Sequence, residues 1–327
     1  MGRLHKKILR LFCNNNYVES KVKKLNASQG IVLMYHEVLP DSIEYPAWTV
    51  VKESEFKWQI EYINNYFDII SIDEALKRFC NKSENHRPFA IITFDDGYKG
   101  NYDYVYPFMK KLLLPFTVYI STSAVLSGKL LWFDNVIKLI SSNSTKCVEI
   151  IENNSITSYK IIPNDNPLKK WAQVESVLQH MKKLSIPDRD KNLAVIEANC
   201  FENYSPLKMM TLSNIRELSQ DKLVTIGSHT HSHAMLDMLD RSKVHEELIL
   251  SENLLQYITG IFPKHFSYPN GNYSDSVISI VNDRGYRTCV TTNSGLFTPE
   301  NNIKKIPRIG IGRFDGKRHF KAKIIEW

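Results

Sequence analysis

The feature that most constrains the fold of this chain is a series of short, unbroken apolar runs, each followed by helix-like spacing. IVLMY covers Ile31 to Tyr35, FAIITF covers Phe89 to Phe94, and TVYI covers Thr117 to Ile120. LVTIG (Leu223 to Gly227), HFSYP (His265 to Pro269), TCVTT (Thr288 to Thr292) and IPRIGI (Ile306 to Ile311) follow. A strand with one wet face alternates polar and apolar residues. A strand covered on both faces does not, so these runs predict a parallel sheet. Helices are predicted between them, over Glu55–Tyr66, Ile72–Phe79, Tyr104–Leu113, Asn214–Ser219, Lys243–Thr259 and Ser274–Arg284. Ser71 ahead of Glu74, and Ser274, stand where helix-starting residues belong. Strands alternating with helices give βα units, hence an α/β fold closed or open as a barrel. The 327 residues suit one such barrel.

One stretch, from about Ser127 to about Met210, breaks this rhythm. It holds a polar segment, SSNSTKCVEIIENNSITSYKIIPNDNP, and a helical piece around Trp171 to Leu184. It reads as an insertion carrying a small hairpin and helices, and insertions on the active-site side of a barrel shape substrate access.

Two clusters carry chemistry. In Thr93-Phe94-Asp95-Asp96-Gly97-Tyr98, two adjacent carboxylates follow a strand directly. Asp and Gly are equally at home in a plain turn, but barrel enzymes place their reactive groups at the C-terminal ends of strands. In Gly227-Ser228-His229-Thr230-His231-Ser232-His233, three of the chain's 10 histidines fall within one short segment after another strand. A helical or tight-turn conformation brings i and i+4 together, so His229 and His233 can share a metal while His231 points elsewhere. Taken singly, each histidine could be an ordinary exposed or satisfied one. Two imidazoles and one carboxylate form an open zinc site, and a further carboxylate beside it can take a proton from water. That is the minimum for metal-assisted amide hydrolysis.

With these motifs the chain resembles the polysaccharide deacetylase family, also called the NodB-homology or carbohydrate esterase 4 family. The resemblance covers roughly residues 30 to 310, apart from the inserted stretch. It includes Met34-Tyr35-His36 and Phe266-Ser-Tyr-Pro-Asn-Gly271. It implies a deformed (β/α) barrel, residues 29–327, interrupted at about 127–210. It also implies Asp95 as the base and Asp96, His229 and His233 as ligands of a divalent metal, with zinc expected from the donor types. The implied activity is removal of N-acetyl groups from amino-sugar residues of a polysaccharide or glycan precursor. Lipid-linked or nucleotide-linked sugars, small amides, or non-catalytic glycan binding on the same fold remain as alternatives.

The chain departs from the family pattern at two points. Ser267 and Asn270 stand where the family's third motif has Arg and Tyr. Arg308, after the last strand, is the candidate to orient the base, and the backbone N–H of Asn270 can still hold an oxyanion. The family's late acid-supplying histidine motif is missing. His36 or His319 can stand in, or Asp95 can return the proton itself. Tyr98, Tyr268 and Tyr273 lie beside the motifs and can either stack on sugar faces or pack at the rim. Trp132 and Phe133 read as core.

The formal net charge of +7 comes from dispersed basic residues. No nucleic-acid-binding pattern accompanies it, so no nucleic-acid partner is expected. Cys13, Cys80, Cys147, Cys200 and Cys289 lack metal-site or disulfide spacing. Reduced thiols and a cytoplasmic location are therefore expected. The opening MGRLHKKILRLFCNNN lacks a signal-peptide pattern. Its residues 3–12 form a basic amphipathic segment suited to peripheral membrane contact.

Overall fold

The computed structural model describes residues 13–80, 86–141, 147–162, 166–198 and 205–327. The basic segment 3–12 lies outside the described residues. Its neighbour, the helix Asn15–Val22, buries Val18 and Val22 in the main core beside Phe320.

The strands are β1 (Gly30–Tyr35), β2 (Glu37–Leu39), β3 (Val50–Lys52), β4 (Asp68–Ile69), β5 (Phe89–Phe94) and β6 (Phe116–Ile120). They continue with β7 (Cys147–Glu152), β8 (Ser155–Lys160), β9 (Val224–Ser228), β10 (His265–Ser267), β11 (Thr288–Val290) and β12 (Ile309–Gly310). The principal sheet runs β11-β10-β9-β6-β5-β1-β12, with β4 added on β5, and its pairings are parallel. All seven apolar runs read as strands lie in it. β1, β5 and β6 are buried at every position, as their unbroken apolar sequence requires.

The sheet curls until its two edges meet on one segment. Ile306 bridges to Val290 of β11, and three residues later Ile309 pairs with Leu33 of β1. Val32, Ile91, Tyr119, Val290 and Ile306, from opposite sides of the strand order, pack together and fill the interior. The fold is therefore an α/β, deformed (β/α) barrel. A large second cluster joins the outer strand faces to the surrounding helices.

Several helices begin where the sequence supplies a cap. Ser71 Oγ accepts from the Glu74 N–H at 3.2 Å. Ser274 caps Asp275–Asp283, and Asp240 caps Arg241–Thr259. The short parallel pair β2–β3 and strand β4 carry too few residues to stand out as periodic runs.

Within the inserted stretch, β7 and β8 form the expected antiparallel hairpin. Asn153 and Asn154 make its turn at φ 48° and 63°, the left-handed conformation that a two-residue hairpin loop demands. Helices Trp132–Ser141, Pro167–Met181 and Ile186–Ala198 complete the stretch. The described cysteines 13, 80, 147 and 289 are free thiols.

At Gly227 the barrel wall leaves no room for a side chain. A Cβ there would lie 2.5 Å from Tyr119 Cδ1 and 2.8 Å from the His265 carbonyl oxygen. Neither the neighbouring backbone nor a fully buried ring can yield easily. Gly227→Ala is expected to cost about 1–3 kcal/mol of stability, read as a lowered denaturant midpoint with an unchanged slope.

Candidate active site

The C-terminal ends of the barrel strands open into a cavity of about 440 Å³, a size suited to a small-molecule substituent. His36 follows β1, Asp95 and Asp96 follow β5, His229 follows β9, and Asn270 follows β10. All five line this cavity, as does His233.

Asp96, His229 and His233 are buried, and one ligand atom from each lies within 4.8 Å of the others. His233 Nε2 is 3.3 Å and His229 Nε2 3.6 Å from Asp96 Oδ1. Tetrahedral ligands at about 2.0–2.2 Å from one centre stand roughly 3.3–3.6 Å apart, so the spacing matches that of a shared cation. His229 Nδ1 is 2.7 Å from the Ser267 carbonyl. Donating there puts the free lone pair on Nε2, towards Asp96. Both Asp96 oxygens are buried without a hydrogen-bond partner, which is costly unless a cation accepts them. Burial, and after it the Asp95 carboxylate, pushes Asp96 well above the usual carboxylate range. Burial likewise lowers His229 and His233, leaving neutral imidazoles, the form that binds metals.

Asp95 sits in a different environment. Arg308, fully buried in the segment that closes the barrel, grips its two oxygens at 2.7 Å each. The remaining donors of that guanidinium reach the Thr291 carbonyl at 2.9 Å, Ser267 Oγ at 2.9 Å and Thr93 Oγ1 at 3.2 Å. All five N–H groups are thereby used. Burial alone would raise the Asp95 pKa, but the Arg308 charge, followed by His229, holds it well below the usual carboxylate range. The two adjacent carboxyls are thus driven in opposite directions by their surroundings, the arrangement that separates roles between paired acids.

The loops that carry these groups are strained. Asp96 (φ 77°), Thr230 (φ 64°), His233 (φ 56°) and Asn270 (φ 55°) all take left-handed backbone conformations. For the β-branched Thr230 this is a genuine outlier. The histidine segment forms a bend rather than a helix, which is how positions four apart both turn inward. Glu247, from the helix Arg241–Thr259, accepts from the His231 and Ser232 N–H groups at 3.0 and 2.8 Å and from Ser232 Oγ at 2.6 Å. The N–H groups of Thr122 and Ser123 hold the Thr230 and His231 carbonyls. His231 points away, its Nδ1 2.9 Å from Thr122 Oγ1. Glu247 carries no motif signal and escapes sequence reasoning.

Tyr98 and Tyr268 are not sugar platforms. Both are fully buried, so neither can offer a ring face to a ligand. Tyr98 donates to both oxygens of Asp134, at 2.9 and 2.8 Å, and Tyr268 packs between Phe266 and Tyr273. His319 is engaged with Asp315 at 2.8 Å and is not on the cavity wall. Phe133, read as core, instead lines the cavity with its ring edge against His233 at 5.2 Å. Trp48 and Trp171 join it there.

A family model for polysaccharide deacetylases matches residues 82–155 and 191–289, more than half of the chain. The chain belongs to the polysaccharide deacetylase family. It is accordingly a hydrolase acting on carbon–nitrogen bonds other than peptide bonds, and its substrates are glycans. Inside the inserted stretch the family model passes over only residues 156–190, less than the sequence pattern marked off. No curated protein sequence matches the deacetylase.

Among solved structures, its fold is similar to that of the Streptococcus pyogenes deacetylase PplD in complex with acetate. The TM-score is 0.59 at 16% identity, over 90% of this chain and 98% of the other. It is also similar to IcaB from Ammonifex degensii, with TM-score 0.58, 16% identity, and 90% and 96% coverage. The BpsB deacetylase domain from Bordetella bronchiseptica gives TM-score 0.52 at 18% identity, covering 88% of this chain and 97% of that one. No described helix of the deacetylase is long and apolar enough to cross a membrane.

Two measurements test this electrostatic picture. Arg308→Met leaves the Asp95 carboxylate buried and unpaired, and should cost about 3–5 kcal/mol in equilibrium denaturation. Burial raises Asp134 to about 7, partly offset by the Tyr98 hydrogen bond. A folded-state pKa above the unfolded value of about 3.9 means stability is lost as pH rises through that window. Asp134→Asn should therefore gain stability relative to the wild type between pH 4 and pH 8. A constant difference across that range would rule out the shift.

Proposed function

We propose that the protein removes N-acetyl groups from amino-sugar residues of a polysaccharide or glycan precursor, using a divalent cation held by Asp96, His229 and His233. The observation that carries this reading is the buried, unpartnered Asp96 carboxylate facing two neutral imidazoles at ligand spacing, beside a second carboxylate kept ionised by Arg308. The nitrogen and oxygen donors fit zinc with positions left open. When bound, the cation supplies Lewis acidity, polarising the acetyl carbonyl and lowering the pKa of water.

The residues of the chain supply the rest. Asp95 takes the proton of the attacking water, whose oxygen forms the new bond to the acetyl carbon. Arg308 holds that carboxylate ionised and aimed, filling the place that Ser267 leaves open. The backbone N–H of Asn270, set in its left-handed turn on the cavity wall, stabilises the developing oxyanion. The C–N bond then breaks, and the nitrogen must gain a proton. Burial brings His36 down to about 4, opposed by the Asp95 charge, so its resting imidazole is neutral. The proton that Asp95 takes from water is returned to the amine, with His36, on the same cavity wall, as the relay. Acetate and a free amino sugar leave.

Asp95→Asn should retain one equivalent of zinc and lose turnover by about 10²–10⁴-fold, measured as acetate released from N-acetylated oligosaccharides. Removing metal with a chelator should abolish acetate release in the wild type, and zinc should restore it. An active Asp95→Asn enzyme, or full activity in the stripped protein, would overturn the assignment.

A further inference from the structure

The helix Pro167–Met181 lies wholly within the residues that the family model passes over, 156–190. It nonetheless builds a wall of the catalytic cavity. Trp171, Glu175, Leu178, Gln179 and the C-cap residue Lys182 all line the cavity. Their spacing of four, three, one and three residues puts them on one helical face. Val174, Val177 and Met181, on the other side, are buried in the core. The helix is thereby locked in place, and the cavity-facing residues are presented by a rigid element.

Lys182 is the exception among the chain's lysines near the site. Its side chain enters the cavity that holds Asp96 and His233. Burial lowers its pKa, and Glu175 on the same face is the carboxylate that acts against this. Its ammonium forms no hydrogen bond or ion pair with a described residue. Lys182 shares the wall of this cavity with His36 and His233, which places the ammonium beside the reacting centre. A half-buried, unpaired ammonium is costly unless an anion meets it.

Resting on the deacetylase reading, we infer that Lys182 binds an anionic group of the substrate adjoining the N-acetylated sugar, so that the enzyme selects amino sugars carrying an oxyanion, phosphate or carboxylate, over neutral ones. Gln179 and Glu175 on the same face can meet the hydroxyls of that unit, and Trp171 closes the end of the wall. Specificity then comes from an element outside the stretches that the family model matches, and chemistry from the family's barrel.

The test compares kcat/KM for acetate release from three substrates: a neutral N-acetylglucosamine disaccharide, N-acetylglucosamine 1-phosphate, and a disaccharide in which a uronic acid adjoins N-acetylglucosamine. The wild type should prefer one anionic substrate over the neutral one, and which one it prefers separates phosphate from carboxylate. Lys182→Met should lower the anionic-to-neutral ratio at least about tenfold, mainly through KM, as expected for loss of one charge-assisted hydrogen bond. Lys182→Arg should keep the preference. Calorimetric titration of Asp95→Asn and Asp95→Asn/Lys182→Met proteins with N-acetylglucosamine 1-phosphate gives the same comparison without turnover. No anionic preference in the wild type, or equal effects of Lys182→Met on all three substrates, overturns the inference alone. Acetate release from none of them overturns the deacetylase reading with it.

Discussion

The structure depends on one buried guanidinium. Arg308 has no exposed surface, yet its five donors bind groups from three separate parts of the barrel: Thr93 on β5 with Asp95 just past it, Ser267 on β10, and Thr291 just past β11. It belongs to the segment on which the two sheet edges meet. Closing the barrel and ionising Asp95 are therefore the same event. A lysine could supply the charge, but not the planar fork that grips both carboxylate oxygens while reaching three further acceptors. The ring of Tyr119 lies beneath the guanidinium, its centroid 5.7 Å away, and separates this polar layer from the apolar filling below.

That layer divides the labour between two neighbouring carboxyls. Asp95 faces Arg308 and stays ionised. One residue later, the left-handed turn at Asp96 swings its carboxyl to the other side, where it meets imidazoles and no donor. Left-handed conformations at Asp96, Thr230, His233 and Asn270 cost on the order of 1–3 kcal/mol each. They persist because the surroundings over-determine them. Glu247 and the start of the helix Thr122–Ser127 pin the histidine loop from two sides, and the Asp96 carbonyl accepts from the Ser121 N–H. Strain is concentrated where several loops must point their side chains at a single small volume.

The inserted stretch shows a different economy. The barrel carries Asp95, Asp96 and His229 at its strand ends, while helices of the insertion form the outer wall with Phe133, Trp171 and Lys182. A long helix anchored by Val174, Val177 and Met181 can change its exposed face without disturbing the barrel beneath. The outer wall of the cavity can therefore vary independently of the strand ends beneath it.

Sequence alone determined the seven strands, since an unbroken apolar run is stable only when buried on both faces. It also marked the pairs Asp95–Asp96 and His229–His233, because those residue types directly after a strand have few other uses. It pointed to Arg308 as well, through the absence of an arginine at position 267. What it left undecided were matters of burial and direction across long sequence separations. Tyr98 and Tyr268 sit beside the motifs in the chain, yet their rings turn inward. Phe133, Glu247 and Lys182 are unremarkable in sequence and stand close to the reacting centre. Only tertiary structure decided these, because a side chain's surroundings are set by which distant segments fold against it, and local pattern carries no record of that.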